Sequence, residues 1–187
     1  MDSWTQAKLY YLFMMADGEV SAEEKKLFAT ICKQLDISAE KKESIIKECE
    51  NIKKSSEVTV LDVIKNNTKC AYKTMDDYLP ISRWGNTRRR DKATVFWNLI
   101  NLGYKDGTYS EEEQKIVEFL RTFADFDKTI ILEMAEIAET MVALSKNMEW
   151  IGDTIQDESY KKELLKKSKK ELKYLQESVN VLISEID

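Results

Sequence analysis

Asp17-Gly18-Glu19-Val20-Ser21-Ala22-Glu23-Glu24 returns in the same chain as Asp106-Gly107-Thr108-Tyr109-Ser110-Glu111-Glu112-Glu113, 89 positions later and without a gap. The register holds beyond the motif. It carries Lys26 onto Lys115, Leu27 onto Ile116, Ile31 onto Leu120, Asp36 onto Asp125, Ile37 onto Phe126, Ser38 onto Asp127 and Ile45 onto Met134. Each copy reads as helix, acidic turn, helix. A unit repeated at fixed spacing buries its apolar stripe most simply against its twin. We therefore expect two halves related by a pseudo-twofold axis, with the two acidic turns in related positions.

Working outward, the rest of the chain reads as helix. It has 187 residues, five glycines and one proline, with 43% apolar and 34% charged residues, the balance of a globular chain able to bury a core. Helices are expected at about 3–15, from Ser21, from Ser38, at about 58–74, 88–105 and 110–124, and from Asp127. A polar break is expected at 53–57, and a connector at 75–87 around Pro80 and Gly85. From Asp127 the spacing Ile130, Met134, Ile137, Met141, Leu144, Met148, Ile151 is that of a coiled-coil-like seam. Gly152-Asp153 is expected to turn the chain into a last helix with Leu172, Leu175, Val179, Leu182 and Ile186 on one stripe. At roughly 30 residues and ~1.5 Å per residue that helix would outrun its partner. The expected fold is all-α and multihelical: two pseudo-twofold-related helix-turn-helix halves (about 9–53 and 98–142, joined by 54–97) and a long C-terminal antiparallel helical hairpin. The domain is expected to span 1–145, with 146–187 an extension packed on helix 127–151. The seam also leaves a homodimer open.

Composition narrows the chemistry. The chain has no histidine, hence no Ser-His-Asp or Cys-His arrangement, no imidazole ligand and no histidine switch. It has no phosphate-binding glycine motif and no nucleophile elbow. These readings argue against an enzyme, with carboxylate-metal hydrolysis as the residual case. Cys32, Cys49 and Cys70 are odd in number and form no CxxC. Without a leader or a long apolar run, a reduced, cytoplasmic protein with no transmembrane segment is expected. Any metal would have to be a hard cation (calcium, magnesium or manganese) held by oxygen.

Two readings of the turns stand side by side. Ser21-x-x-Glu24 and Ser110-x-x-Glu113 are capping boxes, which need no ligand, and Asp-Gly is an ordinary turn pair. An EF-hand is excluded, because Phe13 and Met15, or Leu102 and Tyr104, would fall on its first and third ligand positions. Capping leaves Asp17 and Asp106 without a task, and Glu19, Glu23, Glu111 and Glu112 are surplus carboxylates. Convergence of the turns would make a cation welcome.

The doubled Asp-Gly-x-x-Ser-x-x-Glu after an apolar helix resembles the TerB-like (tellurite-resistance) family over about residues 4–145. The resemblance implies an all-helical fold of two related halves. It also implies an acidic divalent-metal site at Asp17, Glu24, Asp106 and Glu113, and a bacterial, non-enzymatic, stress-associated role. The alternative expectation is a metal-free adaptor.

Such an adaptor would dock through the hairpin and through a second cluster. Four of the five arginines lie at Arg83, Arg88, Arg89 and Arg90, around Trp84, in a chain with 24 lysines. Arginine offers planar, bidentate contact to anions. Segment 83–92 carries net +4, which leaves −9 for the rest of a chain of net charge −5. Internal ion pairs, a protein partner and a phosphate ligand are the open readings, with nucleic acid disfavoured by the acidic whole. The seven lysines of 161–173 read as a solvated face, paired as Asp157–Lys161, Glu158–Lys162 and Glu163–Lys167.

Overall fold

In the computed structural model, residues 1–18, 20–55, 59–70, 87–105 and 107–186 are described, the side chains of 53–55 and 67–70 excepted. The described residues form eight helices and no strand: α1 Ser3–Met14, α2 Ala22–Gln34, α3 Ala39–Ser55, α4 Val60–Cys70, α5 Arg89–Gly103, α6 Glu111–Ala124, α7 Lys128–Thr154 and α8 Glu158–Glu185. Short polar side chains start most of them by taking up N–H groups that the first turn leaves free. Asp2, Ser21, Ser110, Asp127 and Asp157 all do so.

Two boundaries differ from the expectation. α3 runs on to Ser55, through the start of the anticipated break. α7 passes through Gly152 and Asp153 to Thr154, and Ile155–Asp157 make the turn instead. A glycine inside a helix costs only about 1 kcal/mol, which packing against a neighbouring helix offsets. In consequence α7 has 27 residues and α8 has 28. The expected overhang of the last helix is absent.

The 89-residue register persists in three dimensions. It carries the end of α1 onto the end of α5, the start of α2 onto the start of α6, and the start of α3 onto the start of α7. Asp36 and Asp125 both have left-handed backbones (φ 56° and 49°). Each closes its helix in the same way: Ile37 N–H donates to Cys32 O and Asp36 N–H to Lys33 O, as Phe126 does to Arg121 and Asp125 to Thr122. This double bond around a left-handed residue is a Schellman stop. Packing partners repeat as well. α1 lies against α2 and α3 as α5 lies against α6 and α7, α2 touches α5 as α6 touches α1, and α1 packs on α5. The contacts of one copy thus correspond element by element to those of the other.

α1 and α5 form the centre. α1 is buried on every side (Ala7, Leu9, Tyr10, Tyr11, Leu12, Phe13, Met14), as a helix enclosed by others must be. Asn98 of α5 donates to the Tyr10 hydroxyl at 3.2 Å, which links the two polar side chains across the α1–α5 interface. Cys32 and Cys49 are buried, and burial pushes their thiols up, to about 11 and about 12. They behave as small hydrophobes.

Lys92 is the buried cation of this core. Its ammonium donates to Ala124 O at 2.9 Å, a carbonyl at the negative end of α6. Replacing Lys92 with Met keeps the stem and removes the charge-assisted bond. Urea unfolding should show a loss of about 2 kcal/mol. An unchanged midpoint would mean that the bond contributes nothing.

The apolar core takes in α7 only as far as Met141, and on α8 it begins again at Val179. Between them the two helices pack on each other. Of the expected α7 seam, Met134 and Ile151 are buried, whereas Ile130, Ile137, Met141, Leu144 and Met148 are half-buried. The distal hairpin is a two-helix arm.

The paired acidic turns as a candidate functional site

Both turns are built alike. Gly18 and Gly107 have φ of +121° and +96°, a region open to glycine and strained for other residues. Each then reaches its serine N-cap. Ser21 Oγ accepts from Glu24 N–H at 3.1 Å, and Glu24 Oε2 accepts from Ser21 N–H at 2.7 Å. In the second copy the distances are 3.2 and 2.8 Å, and the Ser110 hydroxyl also donates to Glu113 Oε2 at 2.9 Å. Both capping boxes are complete.

The two glutamates are nonetheless unusual for caps, because each is only 3% exposed. Glu113 lies where the copies meet. Burial pushes its carboxyl up, to about 7, against the lowering pull of its bonds from Ser110, and the negative charges of Asp17 and Glu24 raise it further. Both belong to the first copy. The surface shows the same adjacency: Glu23 is held below the usual carboxylate range first by Lys26, and also by Lys105 of the second turn. Charges act on one another this way only at short range. The two acidic turns are therefore neighbours.

Asp17 is exposed, whereas Glu24 and Glu113 are buried. Asp106 and Glu19 lie outside the described residues. Among the described residues no three acidic, cysteine or histidine side chains converge as a metal cage by themselves. The donor chemistry suits a hard cation, since all the groups offer oxygen and their mutual repulsion is real. Each glutamate commits Oε2 to its cap.

Two residues that sequence reasoning passed over shape this site. A Cβ on Gly103 would lie 2.6 Å from Tyr109 Cδ2 and 3.4 Å from Glu113 Oε1. The bare backbone at the end of α5 thus lets the Tyr109 ring and the Glu113 carboxyl lie against it. In the first copy the same positions are Met14 and Val20. Bulk sits on the helix in one copy and on the loop in the other. The exchange was visible in the aligned copies, but nothing local marks it as important. The Tyr109 ring lies 5.1 Å from that of Tyr104, tilted by 43°, and burial raises its hydroxyl's pKa, so it is a neutral wall beside Glu113.

The arginine cluster divides. Arg83 and Trp84 lie outside the described residues. Arg88 pairs with Asp91 at 3.0 and 3.3 Å, which supplies the negative group that a cationic helix start calls for. Arg89 and Arg90 are exposed, and neither forms an ion pair among the described residues. Among the described residues, Arg88–Arg90 form no ion pair with the acidic turns.

A family model described as "Tellurite resistance protein TerB" matches residues 6–130. No curated protein and no solved structure matches the chain. The match covers the first copy, both acidic turns, and α5 and α6 of the second copy, and stops at the start of α7. On that span and that arrangement, the chain belongs to the TerB tellurite-resistance family.

Proposed function

We propose that this chain is a non-enzymatic stress-response module whose paired turns take up one hard divalent cation (calcium, magnesium or manganese) between Asp17, Glu24, Asp106 and Glu113. The observation that carries the reading is the buried Glu113 carboxyl, pushed up first by burial and further by the charges of Asp17 and Glu24 of the other copy. Like charges held together in a partly desolvated place are costly, and a bound cation would supply the missing positive charge. The chain's own residues do the rest. The positive-φ glycines and the capping boxes fix the turns, and Gly103 and Tyr109 fix the Glu113 side chain. Binding would tie one copy to the other, which suits a switchable interaction surface better than turnover.

Calorimetric titration with each of the three ions near pH 7 tests this, using wild type and Asp17→Asn/Asp106→Asn. A single saturable site is expected, weakened at least tenfold in the double variant. Because Glu113 titrates near 7, binding should also release protons, so the apparent heat should change with the buffer's ionisation heat. Flat heats for all three ions would sink the proposal and favour the metal-free adaptor. Metal-dependent cleavage of phosphoesters would instead revive an enzyme.

A further inference from the structure

The arm lies beyond the residues matched by the family model, and its charge is not distributed as expected. Residues 161–173 carry seven lysines and two glutamates. Of the three anticipated pairs, Asp157–Lys161, Glu158–Lys162 and Glu163–Lys167, none forms. Asp157 spends its carboxylate on capping α8, accepting from Ser159 and Tyr160 N–H. Glu158 turns instead to Lys161 at 3.7 Å. Lys173 pairs with Glu177 at 3.5 Å, and Lys170 lies over the Tyr174 ring at 5.4 Å. Lys162, Lys166, Lys167 and Lys169 form no ion pair among the described residues.

Their placement is one-sided. At 3.6 residues per turn, Lys162, Lys166, Lys169, Lys170 and Lys173 fall within about 100° of helix arc and about 16 Å of length. All five are exposed. Lys162–Lys166, Lys166–Lys170 and Lys169–Lys173 are like-charge pairs at i,i+4, a spacing that destabilises an isolated helix. Half-buried Leu165 lines the same groove as Glu158, Lys161, Lys162, Lys166 and Lys169, with Glu158 paired to Lys161. This is a straight cationic wedge with an apolar flank, held on a two-helix arm outside the core.

We propose that this wedge of α8 docks the protein onto an anionic phospholipid surface. A flat, polyvalent surface matches a straight row of ammonium groups on long stems, which carry charge to a headgroup layer without needing a shaped pocket. Nucleic acid suits it less. Between 161 and 173 there is no arginine, asparagine or glutamine, so planar, bidentate contact is not on offer there, and the exposed rings lie only at the ends of the row, at Tyr160 and at Tyr174, which already takes Lys170 over its face. The apolar face of α8 packs on α7, so contact is peripheral rather than inserted.

Flotation with vesicles of phosphatidylcholine, with and without phosphatidylserine, is the experiment. The full chain is compared with Lys162→Gln/Lys166→Gln/Lys169→Gln/Lys170→Gln and with a control of equal charge change, Lys25→Gln/Lys33→Gln/Lys41→Gln/Lys47→Gln. Glutamine keeps helix propensity, and circular dichroism verifies the fold. Wild type and control should float with anionic vesicles only, less so at high salt. The α8 variant should lose partitioning by roughly a hundredfold or more. The inference is overturned by absent flotation, by equal flotation with neutral vesicles, or by an equal loss in the control. It is also overturned if an oligonucleotide binds these lysines more tightly than the vesicles do. None of these outcomes depends on whether the paired turns bind a cation.

Discussion

Glu113→Gln should make the protein more stable than wild type by about 2 kcal/mol at pH 8, with the advantage shrinking steadily toward pH 5. The sign follows from the direction of the shift. Glu113 titrates at about 7 in the folded chain and near 4.5 when unfolded. Between these values the folded state holds a proton that the unfolded state has released. Wild-type stability from this group is therefore fully present below about pH 4.5 and is lost as pH rises through 7. Glutamine cannot ionise, yet its amide oxygen still accepts from Ser110 N–H in the capping box. The cap survives and the buried charge does not. Urea titrations of both proteins at several pH values give the difference directly, which removes the contribution of every other carboxylate. A gap that does not change with pH would show that Glu113 is not the buried acid described here.

A larger loss is expected from Phe96→Ala, about 3–5 kcal/mol. Phe96 is fully buried in α5, and its ring lies 5.0 Å from that of Phe126 at 32°. In the first copy the corresponding residues are Ala7 and Ile37. The substitution thus installs the other copy's residue in a place shaped for a phenylalanine. Its cost has two parts, the transfer of a large apolar side chain with the cavity left behind, and about 1 kcal/mol from the aromatic pair. For a domain stable by some 5–15 kcal/mol this is a large fraction. Denaturant unfolding should give a lower midpoint with an unchanged slope. A loss under 1 kcal/mol would show that the second copy repacks freely around the hole.

Of the turn chemistry, nearly everything was legible in the residues. Asp-Gly, Ser and Glu at fixed spacing dictate a glycine-dependent bend and a capping box, because both depend on atoms within four residues of one another. The repeat register even carried the left-handed stops at Asp36 and Asp125. The sequence misled where local signals met packing. Gly152 looked like a stop, yet α7 passes through it, since packing against α8 outweighs a small propensity cost. The lysines of α8 looked paired, yet Asp157 had a better use for its carboxylate at the helix start.

The sequence by itself determined that the chain is helical, that a unit is doubled, and where the helices begin and end around both acidic turns. These are consequences of short-range hydrogen bonding and of apolar periodicity. Only the tertiary structure decided that Glu113 is buried within reach of the charges of Asp17 and Glu24, that Gly103 makes room for Tyr109, and that a cationic wedge stands out from the core on α8. Burial and charge–charge energy depend on distances between helices, and those distances are set by how the two copies and the arm pack together.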